Sequence, residues 1–155
     1  MAEIKGMQQL TAKLDKAIAD GPREVERALL RGGLIIAEEA QRNVMGPRPG
    51  HLGVVSNRLR TALGAKKIAT LTVKAGFLRP VVYGPIHEFG GEIHPKKPGG
   101  FLRFKGYDGQ MVFVKMVRMP ARPYMRPAFV SKKDAATNEV RKVYTGILKI
   151  GGVSV

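Results

Sequence analysis

The chain has 155 residues, the usual length of one domain, and its 44% hydrophobic and 25% charged residues exclude a disordered composition. It contains no cysteine, which excludes disulfides and thiolate metal sites and fits a reducing cytoplasm. No run approaches the ~18 apolar residues of a membrane span. No apolar segment follows the charges at residues 1–5, so we also expect no signal peptide.

The net charge of +15 is unevenly distributed along the chain. Residues 1–50 contain eight Lys or Arg against seven Asp or Glu, whereas residues 51–155 contain nineteen against five. A positive surface of this kind attracts phosphate backbones whatever their sequence. The alternative is that these cations only keep a sheet soluble.

Residues 1–45 are predicted to be helical. Apolar residues recur every three or four positions at Met7, Leu10, Leu14 and Ile18, which indicates an amphipathic helix. The sequence Asp20-Gly21-Pro22 predicts the end of that helix and the start of a second, because proline is tolerated in a first helical turn. Gly32-Gly33 inside the second helix predicts either a close crossing with another element or a bend.

The composition changes after residue 45. Residues 46–57 are rich in Gly and Pro and are predicted to form a mobile loop. Residues 58–125 are predicted to be β-rich with short helices, beginning with a helix at 58–63. After Gly64 an apolar residue occupies every second position, which predicts one half-buried strand. Asp108-Gly109 between two β-rich runs predicts a hairpin.

A C-terminal helix is predicted over residues 126–148, followed by a tail at 149–155. The whole order predicts a single α+β domain. In it, N-terminal helices and a C-terminal helix pack on a small, mainly antiparallel sheet.

Two segments combine an aromatic residue, an ionisable residue and backbone-fixing Gly or Pro. Residues 83–91 read Tyr-Gly-Pro-Ile-His-Glu-Phe-Gly-Gly, and residues 119–129 read Met-Pro-Ala-Arg-Pro-Tyr-Met-Arg-Pro-Ala-Phe. A stiff backbone loses little entropy on docking, so both segments favour contact with a partner. Glu88 is predicted to pair with Arg122 or Arg126. The alternatives are an exposed glutamate without a role and a plain extended lead-in to the last helix.

The same segments lack the spacing of a catalytic or metal site. His87-Glu88 would begin a zinc motif, but the position of its second histidine is Gly91, and His94 would need a further ligand. No serine lies in a nucleophile-elbow setting, and Glu88 with Glu92 is the one candidate carboxylate pair of the basic region. We predict no catalytic residue, no metal and no cofactor.

The motifs resemble a family: the small tail-completion or neck proteins of long-tailed bacteriophages, of the lambdoid-type tail-component and Mu-like virion-morphogenesis group. Such proteins carry a segment similar to residues 55–60, a Tyr-x-x-x-x-Glu-Phe-Gly element and an Ala-Arg-Pro-Phe-x-x-Pro-Ala-Phe element. The matches here are Tyr83, Glu88, Phe89 and Gly90, then Ala121, Arg122, Pro123, Tyr124, Arg126, Pro127, Ala128 and Phe129. Tyr124 stands where the family often has Phe.

The resemblance implies a structural virion protein that is assembled in the host cytoplasm and forms a homo-oligomeric ring at the head–tail junction. The ring would contact the connector and the tail terminator or tube, with genomic DNA passing non-specifically and no membrane involved. The predicted subunit or partner contact comprises Tyr83, His87, Glu88, Phe89, Arg122, Pro123, Tyr124 and Arg126. The predicted DNA-facing residues are Lys66, Lys67, Lys74, Lys96, Lys97, Arg103 and Lys105.

Two other classes of function remain open from the residues alone. A basic nucleic-acid-binding module without catalysis would bind free duplex with strong salt dependence. An enzyme would lose turnover, while keeping its assembly, when Glu88 is replaced by glutamine.

Overall fold

The computed structural model describes residues 7–46, 57–106 and 108–150, which form an α+β fold as predicted. The helices are α1 (Met7–Met45), α2 (Arg58–Ala62), α3 (Gly84–Phe89) and α4 (Met125–Ile150). The strands are β1 (Leu63–Ala69), β2 (Thr72–Phe77), β3 (Gly91–Ile93), β4 (Leu102–Lys105), β5 (Met111–Val114) and β6 (Val117–Met119). No helix in the described ranges combines the length and hydropathy that a membrane crossing requires.

The strands form three separate antiparallel pairs, β1–β2, β3–β6 and β4–β5. β1–β2 packs on α1, with Ala65 opposite Ala75. β3–β6 is a short pair in which Gly91 lies opposite Met119. The β4–β5 hairpin, with Leu102 opposite Val114, turns at the predicted Asp108-Gly109. The small antiparallel sheet therefore consists of three two-stranded ribbons, of which β1–β2 packs on α1.

The predicted division of the N-terminal region into two helices is wrong, because α1 runs without interruption from Met7 to Met45 and contains Pro22. Proline removes one helical hydrogen bond, to the carbonyl of Ile18, and Ile18 is exposed, so water can bind that carbonyl. The continuous helix keeps Gly21 close to Ile147 of α4, at 3.6 Å from an ideal Cβ position. The packing of α1 against α4 therefore outweighs the tendency of Gly21-Pro22 to end the helix.

The single strand predicted after Gly64 is also wrong, because this stretch folds back on itself as β1 and β2. The turn lies at Thr70 and Leu71, and Leu71 adopts the left-handed conformation with φ 52°. Its main-chain N–H donates to Glu26 Oε1 of α1 at 3.4 Å, and Lys67 Nζ donates to Glu26 Oε2 at 2.6 Å. A carboxylate from a distant helix holds a turn that lacks Gly, Asn and Pro.

The close crossing predicted at Gly32-Gly33 is confirmed. A Cβ on Gly32 would lie 2.9 Å from the Ala136 carbonyl oxygen of α4, and a Cβ on Gly33 would lie 2.9 Å from Val73 Cγ1 of β2. The two glycines thus let α1 approach α4 on one side and the β1–β2 pair on the other. Neither contact distance would leave room for a side chain.

The core lies near the end of α1, where α2, β1 and the start of α4 meet. It consists of Ala40, Val44, Leu59, Leu63, Tyr124 and Ala128, with Phe77, Val81 and Met125 packed against it. Tyr124 is its largest fully buried side chain. The predicted helix at 126–148 agrees closely with α4, which spans Met125–Ile150. The mobile loop predicted at 46–57 and the tail at 149–155 fall largely on residues 47–56 and 151–155, which lie outside the described residues.

Candidate assembly site

The two motif segments meet in one joint, formed by α3, the first turn of α4 and the extended strap of residues 120–124 that precedes α4. Pro85 lies in the first turn of α3, where a missing N–H costs nothing, and α3 ends at Gly90. The Arg122 N–H donates to the His87 carbonyl at 2.7 Å, which aligns the strap along α3. Sequence analysis singled out both segments, and the structure brings them together.

Glu88 binds the beginning of α4 with its carboxylate. Its Oε2 accepts the N–H groups of Tyr124 and Met125 at 2.8 and 2.9 Å, and its Oε1 accepts that of Arg126 at 2.9 Å. The next residue, Pro127, has no N–H, so the amides that a helix start normally leaves without partners are all accounted for. The negative charge also lies at the positive end of the α4 dipole.

The predicted ion pair between Glu88 and Arg122 or Arg126 is therefore corrected: among the described residues Glu88 binds main-chain amides and no guanidinium. The physical reason is geometric. Three amides that converge at a helix start are fixed in place, whereas an arginine side chain must lose rotamer freedom to bind. Arg126 remains exposed, and Arg122 is half-buried.

Tyr124 anchors the strap in the core. Its hydroxyl donates to the Gly84 carbonyl at 3.1 Å, and its ring meets that of Phe77 edge-on with centroids 6.3 Å apart. Asn43 of α1 donates to the Tyr124 carbonyl at 3.0 Å. Burial, and secondarily the nearby Glu88 charge, raises the pKa of the Tyr124 hydroxyl above its ordinary value. With 1% of its surface exposed, Tyr124 is enclosed by its own chain.

Two glycines, Gly84 at the start of α3 and Gly90 just after its end, allow close contacts that a side chain would block. A Cβ on Gly84 would lie 2.4 Å from the Phe77 ring. Gly90 has φ +70°, and a Cβ there would lie 2.8 Å from the main-chain nitrogen of Ala121. Without a side chain, Gly84 lets the Phe77 ring approach α3, and Gly90 lets the strap approach the end of α3.

The remaining predicted contact residues lie on the outside of the joint. Phe89 is 80% exposed and Tyr83 is 39% exposed, with the Tyr83 ring edge-on to His87 at 5.9 Å. Phe89 and Arg126 line an open groove of about 440 Å³ together with Phe129, which sequence analysis placed in the motif but not among the contact residues. Pro123 is exposed beside it. The joint thus has an inner side that holds the fold and an outer apolar side that faces solvent.

Phe129 could have been found from its spacing. It lies four residues after Met125 on α4, and so on the same helix face. Asn43 and Phe77 carry no such signal, since their contacts depend on how α1 and β2 meet the strap.

The predicted DNA-facing cations lie on three different parts of the fold. Lys66 and Lys74 are directly opposite each other on β1–β2 and exposed, whereas Lys67 binds Glu26. Lys96 and Lys97 belong to the connection between β3 and β4. On β4, Lys105 is exposed, and Arg103 lies over the Phe113 ring at 6.0 Å. Of these seven cations, Lys67 is the one that forms an ion pair within the part of the chain that the structure describes.

The two carboxylates of the candidate pair have different partners. Glu92 binds Arg118 at 3.3 Å and lies 3.4 Å from His94 Nε2, while Glu88 faces α4. Within the described ranges no three His, Asp or Glu side chains are placed to hold a metal ion.

The joint therefore combines main-chain hydrogen bonds on its inner side with an apolar outer surface. Comparisons of the chain with family models, with curated proteins and with solved structures found no match.

Proposed function

We propose that this chain is a structural protein of the head–tail junction of a long-tailed bacteriophage, which oligomerises and joins the connector to the tail. The observation that supports the proposal is the joint itself. Two residues that belong to the family resemblance fix α3 to α4: Glu88, whose carboxylate accepts three main-chain N–H groups of the α4 start, and Tyr124, whose hydroxyl donates to the Gly84 carbonyl. A stiff joint of this kind suits a component that transmits load between particle parts.

The outer side of the joint supports an assembly role. Phe89 is 80% exposed and Phe129 is 55% exposed, and both line the groove beside Arg126. Exposed apolar side chains that lie together on a water-facing surface mark contact sites. Arginine beside aromatic rings is typical of contacts that contribute strongly to binding. In this proposal Glu88 is a positioning residue without a catalytic role, since both of its oxygens are occupied.

The experiment is a deletion in a phage genome that encodes this chain. Filled heads and complete tails are expected to accumulate unjoined in electron micrographs, and the wild-type gene supplied in trans should restore joined particles. Normal infectious particles in the absence of the protein would overturn the proposal. Phe89→Ser should fail to complement, whereas Val82→Ser, at a residue 94% exposed and outside the groove, should complement fully.

A second candidate is a nucleic-acid-binding module without catalysis, and one observation favours it. Lys66 and Lys74 lie directly opposite each other and exposed on β1–β2. Like charges at such positions destabilise a strand pair, and an anionic partner would relieve the repulsion. This candidate requires the purified chain to bind free duplex DNA, with an affinity that falls steeply with salt. The double variant K66A/K74A should then reduce the slope of log K against log[salt] by about 2. A slope of the same size in the variant would exclude this surface.

A further inference from the structure

The β4–β5 hairpin has two faces of different character. Successive residues of a strand point to opposite faces, so Arg103 and Lys105 of β4 lie on the same face as Met111 and Phe113 of β5. We call these four residues the ribbon face. All four are exposed, and Phe113 keeps 60% of its surface accessible. The opposite face is more covered and consists of Leu102, Phe104, Val112 and Val114.

Each cross-strand pair of the ribbon face joins a cation with a large apolar side chain. Arg103 lies directly opposite Phe113, and Lys105 lies directly opposite Met111. The guanidinium carbon of Arg103 is 6.0 Å from the centroid of the Phe113 ring. Pairs on one face of a ribbon repeat about every 7 Å along it. The ribbon face therefore holds positive charge and apolar surface side by side at a regular spacing.

The charges around the ribbon face are almost all positive. Residues 94–116, which connect β3 to β6, contain five Lys or Arg and one Asp. That residue, Asp108, lies in the turn, where its Oδ1 accepts the Gln110 N–H at 3.1 Å. The nearby Glu92 of β3 pairs with Arg118 and lies 3.4 Å from His94 Nε2. Within the described chain the five cations have no acidic partner, so the face favours an anionic one.

The side chains of the hairpin select among anionic partners. Entry into a lipid surface would bring the turn with it, and the polar groups of Asp108 and Gln110 are costly to remove from water. In a duplex the bases stack on one another, so an exposed phenyl ring meets no free base face. In a single strand each base has a free face, and its stacking on an aromatic side chain contributes to binding whatever the sequence. Phe113 beside Arg103 fits this last partner.

We propose that the ribbon face binds single-stranded nucleic acid, with a base stacked on Phe113 and phosphates bound by Arg103 and Lys105. The repeat of about 7 Å along the ribbon is close to the separation of neighbouring phosphates in an extended strand. The inference goes beyond the proposed function, which requires no nucleic-acid contact. It also uses a surface other than Lys66 and Lys74 of β1–β2.

Fluorescence anisotropy of a labelled oligothymidylate at low salt measures binding to the full chain. Phe113→Leu keeps an apolar side chain but removes the ring, so the affinity should fall about 10-fold. Phe104→Leu makes the same change on the opposite face and should leave the affinity unchanged. Both side chains are exposed, by 60% and 42%, so both variants should keep the wild-type circular dichroism spectrum.

The double variant R103Q/K105Q tests the phosphate contacts. Each phosphate contact on a single strand contributes about 0.7 to the slope of log K against log[salt], so the slope should fall by about 1.4. K133Q/K149Q removes the same charge from α4, where both lysines are exposed, and should keep the wild-type slope.

A tryptophan at position 113 reports stacking directly, because the chain contains no tryptophan of its own. In Phe113→Trp the indole emission should be quenched as the oligothymidylate is added, and the affinity should at least equal that of the wild-type chain. Phe104→Trp reports from the opposite face, and its emission should stay unchanged. This measurement does not depend on how the leucine variants fold.

Several outcomes would overturn the inference. They are no binding of the oligothymidylate at low salt, equal affinities of Phe113→Leu and Phe104→Leu, an unchanged slope in R103Q/K105Q, and unquenched emission in Phe113→Trp. Binding that is as tight to a duplex, to polyglutamate or to vesicles containing phosphatidylserine would assign the face to a duplex, an acidic protein or a membrane instead. Particle joining is a separate measurement: a phage whose heads and tails join with Phe113→Leu keeps the proposed function whatever the oligothymidylate result.

Discussion

Glu88 is the residue on which the joint depends most. Three main-chain N–H groups converge on one carboxylate, at 2.8 to 2.9 Å. Bonds of this kind to a charged acceptor are stronger than neutral ones, and at a helix start they also offset the dipole. A glutamate at this position therefore determines where α4 begins.

Replacement of Glu88 by glutamine should lower the free energy of unfolding by about 2 kcal/mol, because one acceptor oxygen and the negative charge are lost. Urea denaturation measures the change. Glu92→Gln, which removes ion pairs on the surface, should cost less than about 1 kcal/mol. The charge exchange E88R/R126E should not restore stability, since the partners of Glu88 are amides. Full recovery in the exchanged variant would instead support an ion pair.

Tyr124 makes a second residue-scale prediction. Tyr124→Phe should cost about 1 kcal/mol, because it removes the buried hydrogen bond from the hydroxyl to the Gly84 carbonyl. The raised pKa of Tyr124 also makes the stability of the fold depend on pH. The stabilisation from the buried neutral hydroxyl is fully present below the ordinary pKa of 10.0 and is lost as pH rises toward the higher folded pKa. Unfolding in urea at increasing alkaline pH should therefore show a steeper decline in the wild-type chain than in Tyr124→Phe. Equal slopes would contradict the burial of this hydroxyl.

At the scale of elements, α1 organises the fold because it touches α4, α2 and the β1–β2 pair. The approach to α4 depends on Gly32, and the approach to β2 depends on Gly33. An exposed helical glycine normally gains stability on replacement by alanine, by roughly 1 kcal/mol. The position of each glycine decides whether that gain is realised.

Gly32→Ala should destabilise the chain, because its Cβ would meet the Ala136 backbone at 2.9 Å and the helices would have to separate. Gly146→Ala on α4 is the matched control. Nothing lies within 4 Å of its Cβ position, so this substitution should stabilise the chain by about 1 kcal/mol. Thermal unfolding of the two variants should shift in opposite directions. A gain in both would show that α1 and α4 are not in close contact at Gly32.

Sequence patterns predicted a helix or turn correctly where the residues that determine it lie close together in the chain. The Asp108-Gly109 hairpin, the short helix that begins at residue 58 and the C-terminal helix all follow from turn residues and periodicity. The turn at Thr70-Leu71 could not be predicted, because its stability comes from Glu26, more than forty residues away. Pro22 was misleading for a related reason, since the packing of Gly21 near Ile147 is invisible in a local window.

The candidate site, too, could be predicted only where neighbouring residues determine the structure. Both motif segments could be chosen from residue types alone, because Gly and Pro at fixed spacing indicate a constrained backbone. The partner atoms of Glu88 could not, since main-chain amides are present at every residue and leave no trace in the sequence. The burial of Tyr124 likewise depends on Phe77 and Asn43, which approach from other elements.

At the scale of the whole molecule, ion pairs connect elements that are far apart in the chain. Glu26 of α1 binds Lys67 on β1, and Glu39 of α1 binds Lys132 on α4. Glu139 of α4 binds Arg31 of α1 and also Lys142 of its own helix. The Lys67 ammonium, followed by the Leu71 amide, lowers the pKa of Glu26. The Lys142 ammonium, followed by the Arg31 guanidinium, lowers the pKa of Glu139.

A lowered folded pKa means that the stabilisation is present above the ordinary value of 4.5 and is lost as pH falls through the folded value. The urea midpoint should therefore decline as the pH falls below 4.5 in the wild-type chain, and less so in E26Q/E139Q. Glu24→Gln serves as the control, because Glu24 pairs with Arg27 of its own helix turn. An unchanged acid slope in the double variant would show that these pairs do not contribute.

The β3–β6 pair has a consequence for how this chain can diversify. Ile93 and Val117 are opposite each other, so the twenty-three residues between them leave and re-enter the body at adjacent points. Strand partners of this kind are only about 5 Å apart, a gap that a tight turn can span. The whole segment that carries β4–β5 could thus be shortened, exchanged or grafted onto another scaffold while the joint and the two long helices keep their positions.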